Sequence, residues 1–252
     1  MSTKPRVAFF DFACCEGCQL QIANLEEDII GVMELVDIVE FREVLTGKAL
    51  KYDIAFIEGS ITRSEDEARL IDIRNRSETV VALGSCAAIG GINRLKNLRG
   101  DLEKVRKEVY GDHWEEPHLD TYATRAVDEI ISVDHYLYGC PISRDEFIRT
   151  LEALSLGTRP EIPEYPLCAE CKLQENVCMF HVGKTCLGPV VRAGCGAVCP
   201  GNGVPCDGCR GLIPHANMSA IREVLSEYDL TSEEIAEKLT LYALDGEIAK
   251  WA

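Results

Sequence analysis

A chain of 252 residues, 46% of them hydrophobic, has room for one large domain, or for one domain plus a smaller one. Its net charge of −16, from 42 acidic against 26 basic residues, opposes binding to nucleic-acid phosphates or to an anionic membrane surface. No window approaches the length of a bilayer span. The opening MSTKPRVAFFDF has no long apolar run, cleavage site or twin-arginine pattern, so a cytoplasmic protein without direct membrane insertion is expected.

The first half alternates strand and helix patterns. Arg6–Phe12 is a short apolar run suited to a buried strand, and it leads into a cysteine loop, Cys14–Cys18. Leu20, Ile22, Ala23, Leu25 and Ile29 then mark one apolar helical stripe. Val36–Phe41 alternates like a strand, and Asp53–Ile57 is a buried-type strand ending in the turn Glu58-Gly59-Ser60. Ser64 is placed to cap the next helix, with Glu67 as its capping-box partner and an end near Arg76. Thr79–Leu83 is a further strand, closed by Gly84-Ser85-Cys86. Helices are predicted near Asp101–Val109, Thr121–Ile130 and Asp145–Ser155, with Ile131–Leu137 leading to Gly139-Cys140-Pro141 between the last two. Such alternation implies a parallel sheet with helices on both faces.

At Gly157–Pro166 three prolines mark a boundary. From Cys168 to Cys209 the chain is rich in cysteine and glycine and has no sustained period. This segment is expected to fold around metal rather than an ordinary apolar core. The tail is helical again: Thr231 and Glu234 form a capping-box pattern, and Ile235, Leu239 and Tyr242 share a face.

Thirteen cysteines dominate the chemistry. In a chain without an export signal they point to metal binding rather than disulfides, and the odd number agrees. Twelve sort into three groups of four, the number of thiolates a four-iron cluster or a tetrahedral zinc takes. Cys15, Cys18, Cys86 and Cys140 each fall in a loop directly after a predicted strand. In a parallel sheet those loops gather at the carboxyl edge, where ligands bind. Cys168, Cys171, Cys178 and Cys186 form the second group; Cys195, Cys199, Cys206 and Cys209 form the third. Their Cys-x-x-Cys pairs suit either iron–sulfur or zinc. The prolines after Cys140 and Cys199, as in ferredoxin motifs, and the lack of zinc-ribbon spacing favour iron–sulfur. Cys14 is left over and reads as a structural thiol. Gly17, Gly84, Gly90, Gly91 and Gly139 accompany the ligands, where close backbone approach is needed.

Cys15-Glu16-Gly17-Cys18, Ile57-Glu58-Gly59-Ser60, Gly84-Ser85-Cys86-Ala87-Ala88-Ile89-Gly90-Gly91 and Gly139-Cys140-Pro141 together resemble the small subunit of [NiFe]-hydrogenases. The twenty-kilodalton subunit of respiratory complex I shares this domain. The runs Cys186-Leu187-Gly188-Pro189, Arg192-Ala193-Gly194-Cys195 and Cys206-Asp207-Gly208-Cys209 match the hydrogenase subunits better, and the similarity spans about residues 5 to 215. The resemblance implies a flavodoxin-like domain over residues 1–160 with a proximal 4Fe-4S cluster on Cys15, Cys18, Cys86 and Cys140. It implies a small irregular iron–sulfur domain over 161–252 with C-terminal helices. There Cys195, Cys199, Cys206 and Cys209 would hold the medial 4Fe-4S cluster, and Cys168, Cys171, Cys178 and Cys186 the distal one. Membrane-linked uptake enzymes often have histidine where Cys168 stands and proline where Cys199 stands. The chain therefore looks like the cytoplasmic branch, which includes sulfhydrogenases, NAD(P)-linked enzymes and the heterodisulfide-reductase-linked or electron-bifurcating enzymes.

The implied role is electron transfer between the nickel–iron centre of a separate large subunit and a flavin (diaphorase) or iron–sulfur acceptor subunit. The chain has no Gly-x-Gly-x-x-Gly after a strand and no phosphate-binding loop motif, so flavin and NAD(P) would belong to partners. Glu16 reads as an interface carboxylate or a proton relay. Lys172 and Arg210 read as counter-charges to clusters or as surface charges. His181 is superfluous beside four thiolates, and the other histidines have no partner pattern. One rival is a complex-I-type connecting subunit; the Cys14-Cys15 tandem fits it, but Cys18 and the eight later cysteines do not. The other is a zinc-stabilised interaction protein.

Overall fold

The computed structural model describes residues 4–242 apart from 46 and 48; the outer ends of the two expected domains, 1–3 and 243–252, lie outside the described residues. Five strands form the sheet: β1 (Arg6–Asp11), β2 (Asp37–Phe41), β3 (Tyr52–Glu58), β4 (Ser77–Leu83) and β5 (His135–Leu137). All neighbours pair in parallel in the order β2-β1-β3-β4-β5. This is the doubly wound flavodoxin-like order, whose ligand crevice opens at the strand ends where the order reverses, between β1 and β3.

Alternation along the strands divides the apolar residues between two layers. Phe9, Phe56, Val81 and Leu83 face one side, against Ile22, Val32 and Phe147. These come from α1 (Gly17–Ala23), α2 (Asp28–Leu35) and α6 (Arg144–Ser155). Phe10, Ile57, Val80 and Ala82 face the other, against Leu70, Ile73 and Ala87 from α3 (Ser64–Arg76) and α4 (Gly84–Ile89). Beyond α4 come a 3-10 segment over Ile92–Arg99 and α5 (Leu102–Tyr110), capped by the Asp101 carboxylate.

The second half carries α7 (Cys168–Leu173), α8 (Val198–Gly201), α9 (Met218–Ser226) and α10 (Ser232–Thr240). Residues 156–166 contain no helix or strand. No helix among the described residues is long and apolar enough to cross a membrane.

Four local readings change. The single stripe from Leu20 to Ile29 is two helices, broken after Asn24 with Glu26 at φ 55°, and Leu20 is exposed. Ser64 opens α3 from inside and makes no cap bond; Arg63 is the cap residue and pairs with Asp66, while Glu67 reaches Arg125. Thr121–Ile130 is not a helix. Its Tyr122 and Arg125 amides donate to the Thr62 and Ile61 carbonyls, and only Val127–Glu129 turns. The cysteine-rich segment does build an apolar core: Leu167, Met179, Leu187, Val190 and Val191 pack with Ile221, Leu225, Ile235 and Leu239 of the tail helices. Lacking a period, it contributes single residues to a core that α9 and α10 complete. The Thr231–Glu234 capping box is present.

Candidate metal centres

The first group assembles where the sheet topology places it. Phe12 donates its amide to the Glu58 carbonyl, and Ala13 pairs with Ser60, which holds the β1 and β3 ends together. The buried Glu58 carboxylate accepts from the Cys18 and Gln19 amides, both at 3.0 Å, so it fixes the start of α1. Burial pushes the Glu58 carboxyl above its ordinary value, and these two amides oppose the shift. Ser85 donates its amide to the Gly139 carbonyl at 2.8 Å, which ties the Cys86 and Cys140 segments together.

Cys18 and Cys86 lie in the first turns of α1 and α4 rather than in loops, because those helices start right at the strand ends. Backbone crowds the sulfurs. A Cβ on Gly84, whose φ is 80°, would overlap the Cys18 sulfur, and one on Gly91 would sit 3.1 Å from that of Cys86.

The electrostatics of the thiols reports their grouping. Burial and the nearby Cys140 and Cys15 push Cys86 up to about 12. Cys18 is pushed up further by burial and by Glu58, with Cys86 adding to the shift. In the second group, burial and then Cys186, Cys171 and Cys178 push Cys168 up to about 11. These four thiols line one small cavity with Met179, Phe180 and Gly188. In the third group, burial raises Cys199, with Cys195 adding to it. Burial takes Cys209 up to about 11, against a hydrogen bond from the Cys140 amide, and Cys195 adds to the rise. Its four cysteines line a cavity of about 460 Å³ together with Cys140 and Tyr242.

Four thiols gathered this way cannot all ionise unless a cationic centre compensates them. That donor set fits iron–sulfur clusters. Among the described residues no three His, Cys, Asp or Glu converge tightly enough for a single metal ion. A cube that binds each thiolate on a separate iron does not need that spacing.

Adjacent groups touch. The Cys206 amide donates to the Cys186 sulfur at 3.2 Å. Glu170, between Cys168 and Cys171, accepts from the Gly194 and Ala197 amides that flank Cys195, at 2.8 and 3.2 Å. Ser85 donates its hydroxyl to the Cys209 carbonyl. The third group therefore lies between the first and the second, although it comes last in the chain. Cys14 is half-buried, and burial and then Glu58 raise it to about 12. Glu16 forms an ion pair with Arg42 at 2.5 Å, and Lys172 is exposed. Arg210 is not a surface charge: its side chain is 1% exposed and pairs with Glu146. Glu58, Glu146 and Glu170 were not singled out by sequence reasoning. The one signal in the sequence was the position of Glu58 inside the Ile57–Ser60 motif and of Glu170 between two ligands.

Residues 15–154 match the family model of the NADH ubiquinone oxidoreductase 20 Kd subunit. The chain belongs to this family. Its relatives are hydrogenase subunits. It is 35% identical over 240 residues to the sulfhydrogenase 2 subunit delta of Pyrococcus furiosus, covering 94% of this chain and 99% of that one. It is 33% identical over 240 residues to a subunit of the vhu F420-non-reducing hydrogenase of Methanococcus voltae, covering 84% and 83%. A chain of an NAD+-reducing [NiFe]-hydrogenase in the H2-reduced state superposes with a TM-score of 0.57 at 26% identity, over 64% of this chain and 96% of that one. The [NiFeSe] hydrogenase of Desulfovibrio vulgaris shares the fold over 83% of this chain, with a TM-score of 0.58 at 18% identity.

Proposed function

We propose that this family member is the electron-transfer small subunit of a cytoplasmic [NiFe]-hydrogenase, dividing near residue 160 into a flavodoxin-like domain and a two-cluster domain. It would hold three 4Fe-4S clusters: proximal on Cys15, Cys18, Cys86 and Cys140, medial on Cys195, Cys199, Cys206 and Cys209, and distal on Cys168, Cys171, Cys178 and Cys186. The observation that carries this reading is the gathering of twelve thiols into three adjoining groups, in a chain similar over nearly its whole length to a sulfhydrogenase subunit.

Bound clusters supply one-electron redox chemistry. The chain's own residues do the rest. They hold each centre on four sulfurs, keep one sulfur of each group buried (Cys18, Cys206 and Cys186), and direct amides at sulfur, which tunes potential. The nickel–iron centre would sit in a large subunit against the proximal end, and a flavin or iron–sulfur acceptor subunit would face the distal end. Electrons run between these ends in either direction.

Iron, sulfide and zinc analysis of anaerobically purified protein, with visible spectra before and after dithionite, tests this reading. About twelve irons and twelve sulfides with bleachable absorption are expected. Four irons with zinc would confine redox work to the sheet domain, and zinc alone would refute the reading.

A further inference from the structure

Arg210 is the largest fully buried side chain among the described residues, and its partner Glu146 is 3% exposed. The pair is bidentate: Nη1 and Nη2 donate to the two Glu146 carboxylate oxygens at 2.8 and 2.7 Å. Two further donors go to backbone. Nε donates to the Ala193 carbonyl at 2.7 Å and Nη1 to the Tyr138 carbonyl at 2.5 Å. Tyr138 lies two residues before Cys140, Ala193 two before Cys195, and Arg210 directly follows Cys209. Glu146 is in the first turn of α6, against the sheet. Gly194 leaves no room for a side chain, because its Cβ would run into the guanidinium and the Glu146 carboxylate.

A buried ion pair of this kind is a poor device for stability alone. Its desolvation cost is large, and apolar pairs of similar volume often serve as well. What the pair supplies is rigid geometry from a planar fork and a local charge of zero between two sites of high negative charge.

We propose that Arg210 and Glu146 form the joint that positions the Cys140 segment against the Cys195 and Cys209 segments, and that their balanced charge sets the reduction potentials of the proximal and medial centres. Both are positioning residues. The inference rests on the proposed function, because it needs centres at both sites.

The charge balance makes the test directional. A guanidinium cannot shed its proton, whereas a lone buried carboxylate readily takes one up. Glu146→Gln therefore leaves an uncompensated cation beside both centres and favours their reduced, more negative forms. The assay is an EPR-monitored redox titration of the assembled complex, with iron counted in each variant. Glu146→Gln should keep about twelve irons and shift the proximal and medial potentials upward, leaving the distal one in place. Arg210→Met combined with Glu146→Gln removes the cation and should return both potentials toward the parent values. A purely structural role predicts the reverse ordering, with the double variant departing furthest. Unchanged or lowered potentials in Glu146→Gln, or a double variant that departs further than the single one, would overturn the joint. Should Glu146→Gln lose iron, Glu146→Asp, which retains the charge, must restore both iron and potentials; failure to do so also overturns it. A parent complex with four irons and zinc would instead overturn the functional reading on which the joint depends.

Discussion

Gly84→Ala separates close packing around the first thiol group from ordinary backbone strain. Gly84 has φ 80°, and a Cβ there would overlap the Cys18 sulfur and stand 3.4 Å from the Gly139 carbonyl oxygen. The left-handed backbone costs an L-residue about 1–2 kcal/mol, and the overlap adds about 1–3 kcal/mol of overpacking. Reduced freedom of the unfolded chain returns about 0.4–1 kcal/mol. The net cost is about 1–5 kcal/mol, a fall in Tm of roughly 2–18 °C for a chain of this size. Because the collision falls on a proposed ligand, the iron count should drop by about four while the other two centres persist. Gly100→Ala is the control: φ is 74° and nothing lies within 4 Å of its Cβ. It bears the strain alone, about 1 kcal/mol net, with full iron. Differential scanning calorimetry and iron analysis on the two variants decide the matter. If Gly84→Ala keeps all its iron and melts with Gly100→Ala, the Cys18 sulfur is not where the argument requires it.

Cys15→Ser should lose about four irons and Cys14→Ser none, as measured by iron analysis; loss of iron in both variants would restore the tandem-cysteine, complex-I-type site. Hydrogen bonds from Arg6 hold the Asp53 carboxyl below its ordinary 3.8, so the pair's contribution is present at neutral pH and fades as pH falls through that lowered value. Asp53→Asn should therefore show a lower urea midpoint than the parent at pH 7, and the gap should close in acid. Thr231→Ala removes the cap of α10 and should cost about 1 kcal/mol, read as earlier loss of helical circular dichroism; an unchanged melt would mean that the capping box contributes nothing to stability.

The sheet was legible because its strands are short apolar runs whose alternation fills both layers, as in Phe9 and Phe10. Cysteines following each run located the first group's edge of the sheet. What was hidden depends on partners distant in sequence. Thr121–Ile130 has a helical composition, but its amides are taken by Ile61 and Thr62. Arg210 looks like any basic residue after a cysteine until Glu146, 64 positions away, is seen to meet it. The second apolar core was invisible for the same reason: its halves, around Leu187 and Leu225, are separated by the last ligands.

The order of the groups in space is the reverse of what the chain after Pro166 would suggest. The segment that leaves the sheet domain first carries Cys168 to Cys186, yet the segment that returns to touch it carries Cys195 to Cys209. Three contacts make that return: Ser85 to the Cys209 carbonyl, Arg210 to the Tyr138 carbonyl, and Arg210 to the Glu146 carboxylate. The outer group then attaches to the middle one through the Cys206 amide on the Cys186 sulfur and through Glu170. The middle group is thus hydrogen-bonded toward both of the others, through the Cys209 carbonyl on one side and the Cys206 amide on the other. Electron tunnelling favours short covalent and hydrogen-bonded paths over gaps, so on the proposed function the middle group is the obligatory step. A change confined to Cys195, Cys199, Cys206 or Cys209 should then stop transfer between the ends, even with both end centres intact.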